Sequence, residues 1–274
     1  MPSDDTLEHR LEDRVRALGG PFAVAYSGGA DSALVLAAAV RVLGPERVLA
    51  VTAVSESLAD GELSHARRLA DELGVTHLAA RTHELAQPGY RANGPDRCYF
   101  CKSEVLDTIA ALAHRQGLEM VATGTNVDDA ADPYRPGIRA GRERGIRTPL
   151  LDAGLTKADV RRLSRHWSLP TWNKPATPCL ASRVRYGIEV TPYRLARVDR
   201  AEAAIRALLA EAGLQVTDLR VRDLGDRVRV EVDPAFVTRT AALPSLAEAL
   251  AAAGFVDLPH QVEPFRSGRL NIDS

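Results

Sequence analysis

Phe22-Ala23-Val24-Ala25-Tyr26-Ser27-Gly28-Gly29-Ala30-Asp31-Ser32 is the stretch on which the reading of this chain turns. An apolar run, Phe22 to Tyr26, leads into the hexapeptide Ser27–Ser32, and a second apolar run, Ala33 to Val40, follows it directly. The order predicts a strand, a tight glycine turn and a helix. Glycines let the backbone take positive φ and approach a ligand closely. The first amides of the helix then point outward, unpaired, at the positive end of its dipole. A multi-oxygen anion fits there, phosphate above all. The G-x-x-x-x-G-K-[ST] pattern is absent, and no lysine lies near the turn in the sequence. That argues against a loop built to transfer a γ-phosphate. The plain structural alternative is a glycine-rich βα turn that binds nothing.

Working outward, the 274 residues suffice for a full core in one or two domains. A hydrophobic content of 45% with 26% charged residues is that of a soluble globular protein. The net charge of −1 leaves no electrostatic footprint for nucleic acid. No apolar run is long enough for a bilayer, and the N-terminus, alternating acidic and basic, is no signal peptide. The expected location is the cytoplasm. Three cysteines, an odd number without an export signal, argue against a disulfide framework. Lysine is scarce: of 35 basic residues only Lys102, Lys157 and Lys174 are lysines, and two of them lie close to cysteines. Where arginine is the default cation, a lysine can mark a need for a compact ammonium.

Strand and helix alternate through the first part. Leu7, Leu11, Val15 and Leu18 predict a short amphipathic helix. Arg47 to Val54 is a continuous apolar strand. A helix capped by Asp60 runs to Leu73 and stops at Gly74. Thr76 to Ala80 is a third strand, Cys98 to Gln116 a helix, and Glu119 to Thr123 a fourth strand. Such apolar strands separated by helices predict a parallel sheet covered on both faces, with ligands beyond the strands' carboxyl ends. Ser27, Ser55 and Thr125 fall at such ends. Val127 to Gly145 reads as a polar, mobile or substrate-ordered loop. Thr156-x-x-Asp159 starts a helix to about Trp167, and Leu169 to Gly187 is irregular. A long helix, Pro192 to Ala212, leads to a hairpin of Gln215–Arg222 with Arg227–Val232. A helix from Pro234 to Ala253 and a strand at Phe255–Leu258 end the pattern. The domain boundary is expected near Gly187, giving domains 1–187 and 188–274. Trp167 and Trp172 read as packing residues.

Cys98-Tyr99-Phe100-Cys101 opens its helix, and Cys179 lies far downstream in Pro178-Cys179-Leu180-Ala181-Ser182-Arg183. The first two could form a redox pair, although such a pair needs no third cysteine. A structural zinc would need a fourth ligand, for which His83 or His114 is available. Three thiolates can also hold an iron–sulfur cluster with one open iron. Buried inert thiols remain the plain alternative. Lys174, Arg183 and Arg185 surround Cys179 in sequence and favour its thiolate, so sulfur chemistry is expected there.

The hexapeptide resembles the S-G-G-x-D-S loop of the PP-loop ATP pyrophosphatases. The series continues with Arg97-Cys98-Tyr99-Phe100-Cys101-Lys102, Gly124-Thr125-Asn126-Val127-Asp128-Asp129 and Asp132-Pro133-Tyr134-Arg135-Pro136-Gly137. Pro178–Arg183 and Leu219-Arg220-Val221-Arg222 complete it. In this order the motifs resemble the LarE family, sulfur transferases that build the nickel-pincer nucleotide for lactate racemase maturation. The resemblance covers nearly the whole chain. It implies an α/β, Rossmann-like parallel sheet of the adenine nucleotide alpha hydrolase type, with a smaller C-terminal α+β domain for substrate binding or oligomerisation. It implies adenylation of a carboxylate of pyridinium-3,5-biscarboxylic acid mononucleotide, with AMP then replaced by sulfur. Some members sacrifice the sulfur of a cysteine matching Cys179; others hold a 4Fe–4S cluster with three cysteines. Cys98, Cys101 and Cys179 make this chain look like the cluster type, with sulfide or another donor as source. ATP and Mg²⁺ are the further cofactors, and a homo-oligomer is a plausible state.

Site roles follow from that resemblance and the chemistry. The amides of Ser27, Gly28, Gly29, Asp31 and Ser32 hold pyrophosphate, and Asp31 places Mg²⁺, shared with Asp128 or Asp129. Their alternative is a loop or helix-start carboxylate. Ala53, Ser55, Gly124 and Thr125 lie where adenosine is expected. Ser182 and Arg183 hold the activated carboxylate beside Cys179. Arg220 and Arg222, alternating on a strand with Arg229 and Glu231 opposite, form either a phosphate clamp or a solvated charged face. Glu202 is either an active-site carboxylate or a helix-surface charge. The rivals are a tRNA-thiolating PP-loop enzyme, an ammonia-using amide ligase that needs no cysteine, and a nucleotide-binding regulator that releases no pyrophosphate.

Overall fold

The computed structural model describes residues 3–59, 61–132, 135–175 and 177–266. The first half runs α1 (Asp4–Arg16), β1 (Phe22–Ala25), α2 (Ala30–Leu43), β2 (Val48–Val54), α3 (Glu62–Glu72), β3 (Thr76–Arg81), α4 (Pro88–Arg91) and α5 (Arg97–Arg115). Next come β4 (Val121–Ala122), α6 (Val127–Ala131), α7 (Pro136–Glu143), α8 (Pro149–Asp152) and α9 (Lys157–His166). The rest is α10 (Pro192–Glu211), β5 (Leu219–Asp223), β6 (Val228–Val232), α11 (Val237–Ala241), α12 (Leu246–Ala253) and β7 (His260–Pro264). Two compact units result. One comprises Met1–Ser55, Asp60–Glu84 and Asp96–Ala176; the other comprises Glu56–Ala59, Leu85–Pro95 and Thr177–Ser274. The division therefore falls at Thr177 instead of Gly187, and the second unit takes in two short stretches of the N-terminal half. Hydrogen bonds explain this: the Leu180 N–H donates to the Ser57 carbonyl at 2.9 Å and the Val190 N–H to Arg91 at 2.9 Å.

The first unit is a parallel sheet in the order β3-β2-β1-β4. Successive side chains alternate between its faces. Val48 and Ala50 join Phe22 and Val24 in a core with α1, α2, α3 and α9. Leu49 and Val51 join Ala23 and Val121 in a second core with Ile109 and Ala113 of α5. Both faces are covered, as expected for strands this uniformly apolar. The order reverses at β1, with β2 on one side and β4 on the other. Such a switch point opens a crevice at the carboxyl ends of its strands. Capping fixes the helix starts: Ser3 accepts the Thr6 N–H at 3.2 Å, and Thr156 with Asp159 forms a reciprocal box at α9. Among the described residues no helix is long and apolar enough to cross a membrane.

The second unit is a three-stranded sheet ordered β5-β6-β7, antiparallel between β5 and β6 and parallel between β6 and β7. Arg220 faces Glu231 and Arg222 faces Arg229 in register. The α10 helix is capped by Thr191, with Pro192 in its first turn. Its Arg194 and Arg197 reach into the interior, where both pair with the fully buried Asp223, Arg194 Nη1 at 2.8 Å.

Several expectations are corrected. Val127–Gly145 is not one loop: Asn126 and Asp129 make a capping box that starts α6, and Pro136 starts α7. The helix expected over Pro234–Ala253 is broken into a 3-10 turn, α11 and α12. Pro244 disfavours helical backbone at the preceding residue. The final strand lies at His260–Pro264 instead of Phe255–Leu258; Phe255 follows the left-handed Gly254 cap of α12 and packs in the interior. Trp172 is an exposed aromatic with Arg165 over its ring at 5.1 Å, and only Trp167 packs against the core. Asp60, Pro133 and Tyr134 lie outside the described residues.

Asp223 supplies the stability test. Asp223→Asn leaves two guanidinium groups without their countercharge, and urea unfolding should show a loss of about 3–5 kcal/mol. Unfolding at the wild-type midpoint would show that Asp223 does not hold this interior together.

Candidate functional site

In the first unit, Gly28 takes φ 72°, and a Cβ there would lie 3.1 Å from that of Ala66 in α3. The turn is closed by its own serines. Ser32 Oγ accepts the Ser27 N–H at 3.2 Å and donates to the Gly29 carbonyl at 3.2 Å. Gly29 caps α2 with no side-chain hydrogen bond of its own. Gly124, just past β4, is the second close approach. A Cβ there would sit 2.6 Å from the Ser32 amide nitrogen and 2.7 Å from the Asp31 carbonyl carbon. Only glycine lets these two segments meet at the switch point. Ala53 is the next-to-last residue of β2 and Ser55 directly follows the strand, while Thr125 accepts the Leu151 N–H at 3.2 Å through its carbonyl.

Asp31 lies in the first turn of α2. Its Oδ1 accepts from Asn126 Nδ2 at 3.0 Å, and its Oδ2 pairs with the Lys157 ammonium. Asp128 accepts the backbone N–H of Lys157 at 2.6 Å. Lys174 donates to the Gly28 carbonyl at 3.2 Å and to Glu62 at 2.8 Å. Two of the three lysines therefore reach a turn that has none near it in sequence. Their scarcity was the available signal, but sequence spacing linked Lys174 to Cys179 and left Lys157 without a role. Asn126, a further partner of Asp31, was missed. Asp129 is occupied by its capping box and by Arg135 at 3.0 Å.

Cys98 and Cys101 lie near the start of α5 and in no disulfide, three residues apart and so on one helical face. Cys98 is exposed and Cys101 half-buried. Arg97 Nη2 lies 4.0 Å from Cys98 Sγ, and Cys101 Sγ lies 4.0 Å from Glu84 Oε1. Burial pushes the Glu84 carboxyl pKa up and pulls the Lys102 ammonium pKa down. Glu84 was missed because a lone acidic residue after a strand carries no motif.

The second unit gathers the remaining expected residues. Cys179, half-buried and free, immediately precedes a 3-10 turn, Leu180–Arg183. Arg183, 1% exposed, is held by Glu202 at 2.9 and 3.2 Å. Its remaining nitrogen donates to the carbonyls of Pro178 and Cys179 and to Ser182 Oγ, the last at 3.1 Å. Glu202 also accepts the Val221 N–H at 3.0 Å, so it is an interior carboxylate and not a helix-surface charge. Arg222 donates to Glu231 at 2.8 and 2.9 Å and to the Ser182 carbonyl at 2.9 Å. Arg220 lies over the Phe265 ring at 5.3 Å. Burial and the charge of Arg183 push its pKa down. Both strand arginines are buried, which removes the solvated-face reading. Among the described residues no three His, Cys, Asp or Glu side chains are gathered to hold a metal ion.

The sheet order, the glycine turn and Asp31 define a PP-loop nucleotide domain, and the NAD synthase family matches residues 5–88. Two relatives match over almost their entire length. An uncharacterised protein of Synechocystis sp. is 41% identical over 97% of this chain and 98% of its own. The pyridinium-3,5-bisthiocarboxylic acid mononucleotide synthase of Lactiplantibacillus plantarum is 35% identical over 97% of this chain and 92% of its own. An NH3-dependent NAD+ synthetase of Chlorobium phaeovibrioides, 27% identical, covers 61% of this chain. The chain belongs to the family of pyridinium-3,5-bisthiocarboxylic acid mononucleotide synthases, the LarE family.

Two outcomes follow from this geometry. Gly124→Ala should weaken binding of a non-hydrolysable ATP analogue at least about tenfold by calorimetry, because overpacking displaces the first turn of α2. Wild-type affinity would mean that the close approach is not part of the nucleotide site. Glu84 has a folded pKa above its ordinary value of 4.5. Its contribution is therefore fully present below that pH and is lost as pH rises through the folded pKa. Glu84→Gln should unfold at higher urea than wild type at neutral pH, with the gap closing towards pH 4.5. A gap independent of pH would remove the titration of Glu84 as its cause.

Proposed function

We propose that this chain is an ATP-dependent sulfur transferase acting on pyridinium-3,5-biscarboxylic acid mononucleotide in nickel-pincer nucleotide synthesis. The observation that carries the reading is the likeness to the synthase over nearly the full length of both chains. The ammonia-dependent relative matches a smaller share, 61% of this chain and 60% of its own. We place the enzyme in the cytoplasm, as a homo-oligomer supplied with sulfide by a donor.

A carboxylate oxygen of the substrate attacks the α-phosphorus of ATP. The bond to the β-phosphate oxygen breaks and pyrophosphate leaves. The Ser27–Ser32 amides receive its charge at the positive end of α2. Lys157 exchanges Asp31 for a phosphate oxygen, which frees the Asp31 carboxylate for Mg²⁺, with Asp128 as a second acid nearby. Ala53, Ser55, Gly124 and Thr125 line the adenosine. Arg220 and Arg222 hold the substrate phosphate, and Glu202 holds Arg183 in place. Ser182 and Arg183 face the acyl-adenylate, whose carbonyl carbon takes sulfur while the bond to AMP breaks.

The donor set suits an iron–sulfur cluster in kind: three cysteines outside any disulfide, two of them on one helical face. Cys98, Cys101 and Cys179 would hold a 4Fe–4S cluster, which would supply sulfide there. A second reading keeps Cys179 as donor, favoured by its position directly beside Ser182 and Arg183. Its Sγ displaces AMP to give a thioester. Loss of the Cys179 Hα as a proton then breaks the Cβ–Sγ bond, releasing thiocarboxylate and leaving dehydroalanine.

The test is iron and acid-labile sulfide in protein prepared without oxygen, alongside thiocarboxylate formation. About four of each per chain, lost in Cys98→Ala and Cys179→Ala, is the expected result. No iron after anaerobic reconstitution, with dehydroalanine at position 179 after turnover, would replace the cluster by the sacrificial cysteine. Thiocarboxylate formation undiminished in Cys179→Ala would overturn sulfur transfer through that residue.

A further inference from the structure

The stretches 56–59 and 85–95 contain no residue given a chemical role so far, yet they belong to the same unit as Cys179. Ser57 is 4% exposed and Tyr90 is fully buried. Their hydroxyls are hydrogen-bonded to one another. The Ser57 carbonyl accepts the N–H of Leu180 at 2.9 Å, and Leu180 directly follows Cys179. Asn93, fully buried at φ 52°, donates to the carbonyls of Val184, Arg185 and Ile188 at 3.3, 2.9 and 2.8 Å. Its own N–H returns to the Tyr90 carbonyl at 3.1 Å. The short turn that carries Cys179 is thus fastened at its start by Ser57 and beyond its end by Asn93. A fully buried hydroxyl pair is retained against its desolvation when it fixes a geometry.

We propose that Ser57 and Tyr90 are positioning residues for Cys179: their hydrogen bond sets the Ser57 carbonyl that holds Leu180, and thereby aims the Cys179 sulfur. Neither side chain touches the reacting atoms. The Tyr90 ring fills the interior of the unit while its hydroxyl holds the Ser57 side chain, and the Ser57 carbonyl in turn accepts the N–H of Leu180, the residue after Cys179. Loss of the hydroxyl leaves the ring's apolar packing in place and loosens the Ser57 backbone that holds the Leu180 N–H. Only the kinetic consequence rests on the sulfur-transfer reading.

Tyr90→Phe and Ser57→Ala, singly and together in the full chain, test the proposal by two readouts. The first is iodoacetamide alkylation of reduced, metal-free protein, resolved by peptide mass spectrometry. Cys179 should react about three- to tenfold faster as its turn opens locally, with Cys98 unchanged as internal reference. The second compares half-reactions in reconstituted enzyme. Substrate-dependent ATP–pyrophosphate exchange should stay within about twofold, while thiocarboxylate formation falls at least about tenfold, the scale of a small misplacement. The double variant should fall short of the sum of the two single ones, because both break the bond between the hydroxyls. Alkylation of Cys179 at the wild-type rate in both variants would overturn the proposal. So would a parallel fall of exchange and thiocarboxylate formation, the signature of general damage. If Tyr90→Phe fails to fold, Ser57→Ala carries both readouts. A wild-type enzyme that makes no thiocarboxylate would defeat the functional reading and leave alkylation to decide the positioning role.

Discussion

One backbone approach conditions the nucleotide end of the first unit: the chain leaving β4 passes against the first turn of α2 at Gly124. The sheet order demands it. With β4 beside β1, the segment after β4 must leave across the mouth of the turn that follows β1. A side chain at Gly124 would fill the space beside the Ser32 amide in the first turn of α2. The same passage delivers Asn126 to Asp31, and Asn126 in turn caps α6. Asp128, also on α6, then meets the first N–H of α9. Capping and catalysis-bearing geometry are therefore one chain of contacts, from Gly124 to Lys157.

The Lys157–Asp31 pair has a consequence for binding. Lys157 is partly exposed and Asp31 less so, so the pair contributes little to stability on its own. It does keep a carboxylate beside a phosphate-binding turn from repelling an incoming anion. On the reading proposed above, a polyphosphate with a divalent cation would offer both partners better ones, phosphate oxygens for the ammonium and the metal for the carboxylate. Exchange of partners avoids leaving either charge unpaired. A compact ammonium on a flexible stem can turn from one partner to another more readily than a planar guanidinium fork. The rarity of lysine in an arginine-rich chain becomes intelligible at this position and at Lys174.

What the sequence made legible follows the range of the interactions. The turn at Ser27–Ser32, the capping box at Thr156 and the start of α10 are local, and each is read from a few adjacent residues. The alternation on β5 placed Arg220 and Arg222 together but said nothing of their burial, which depends on the surrounding elements. The α6 and α7 helices escaped because each is short, and their glycines, prolines and arginines outweighed one cap and one proline. Pro244 was a visible break that the apolar pattern around it obscured. Ser57 and Asn93 act through backbone carbonyls or on them, and such bonds leave no mark in a side-chain pattern. Lys157 and Lys174 reach their partners only once the sheet has folded.

The second unit carries an unusual density of interior charge. Arg183 with Glu202, Arg222 with Glu231, and Arg197 with Asp223 are buried or nearly so, and the partly exposed Arg194 also reaches Asp223. Interior ion pairs are poor stabilisers, since desolvation offsets most of their attraction, and apolar replacements of similar volume often do as well. Stability is thus a weak reason for this arrangement. Preorganisation is a better one. Guanidinium groups already stripped of water and locked by carboxylates need no reorganisation when an anion or a developing negative charge arrives. Arg183 illustrates it, since its fork is spent on Glu202 while its third nitrogen holds the carbonyls of Pro178 and Cys179. The same side chain therefore fixes the backbone of the sulfur-bearing residue and stations a positive charge beside it. Lysine at that position would keep the charge and lose the fork, and with it the backbone geometry on which the neighbouring thiol depends.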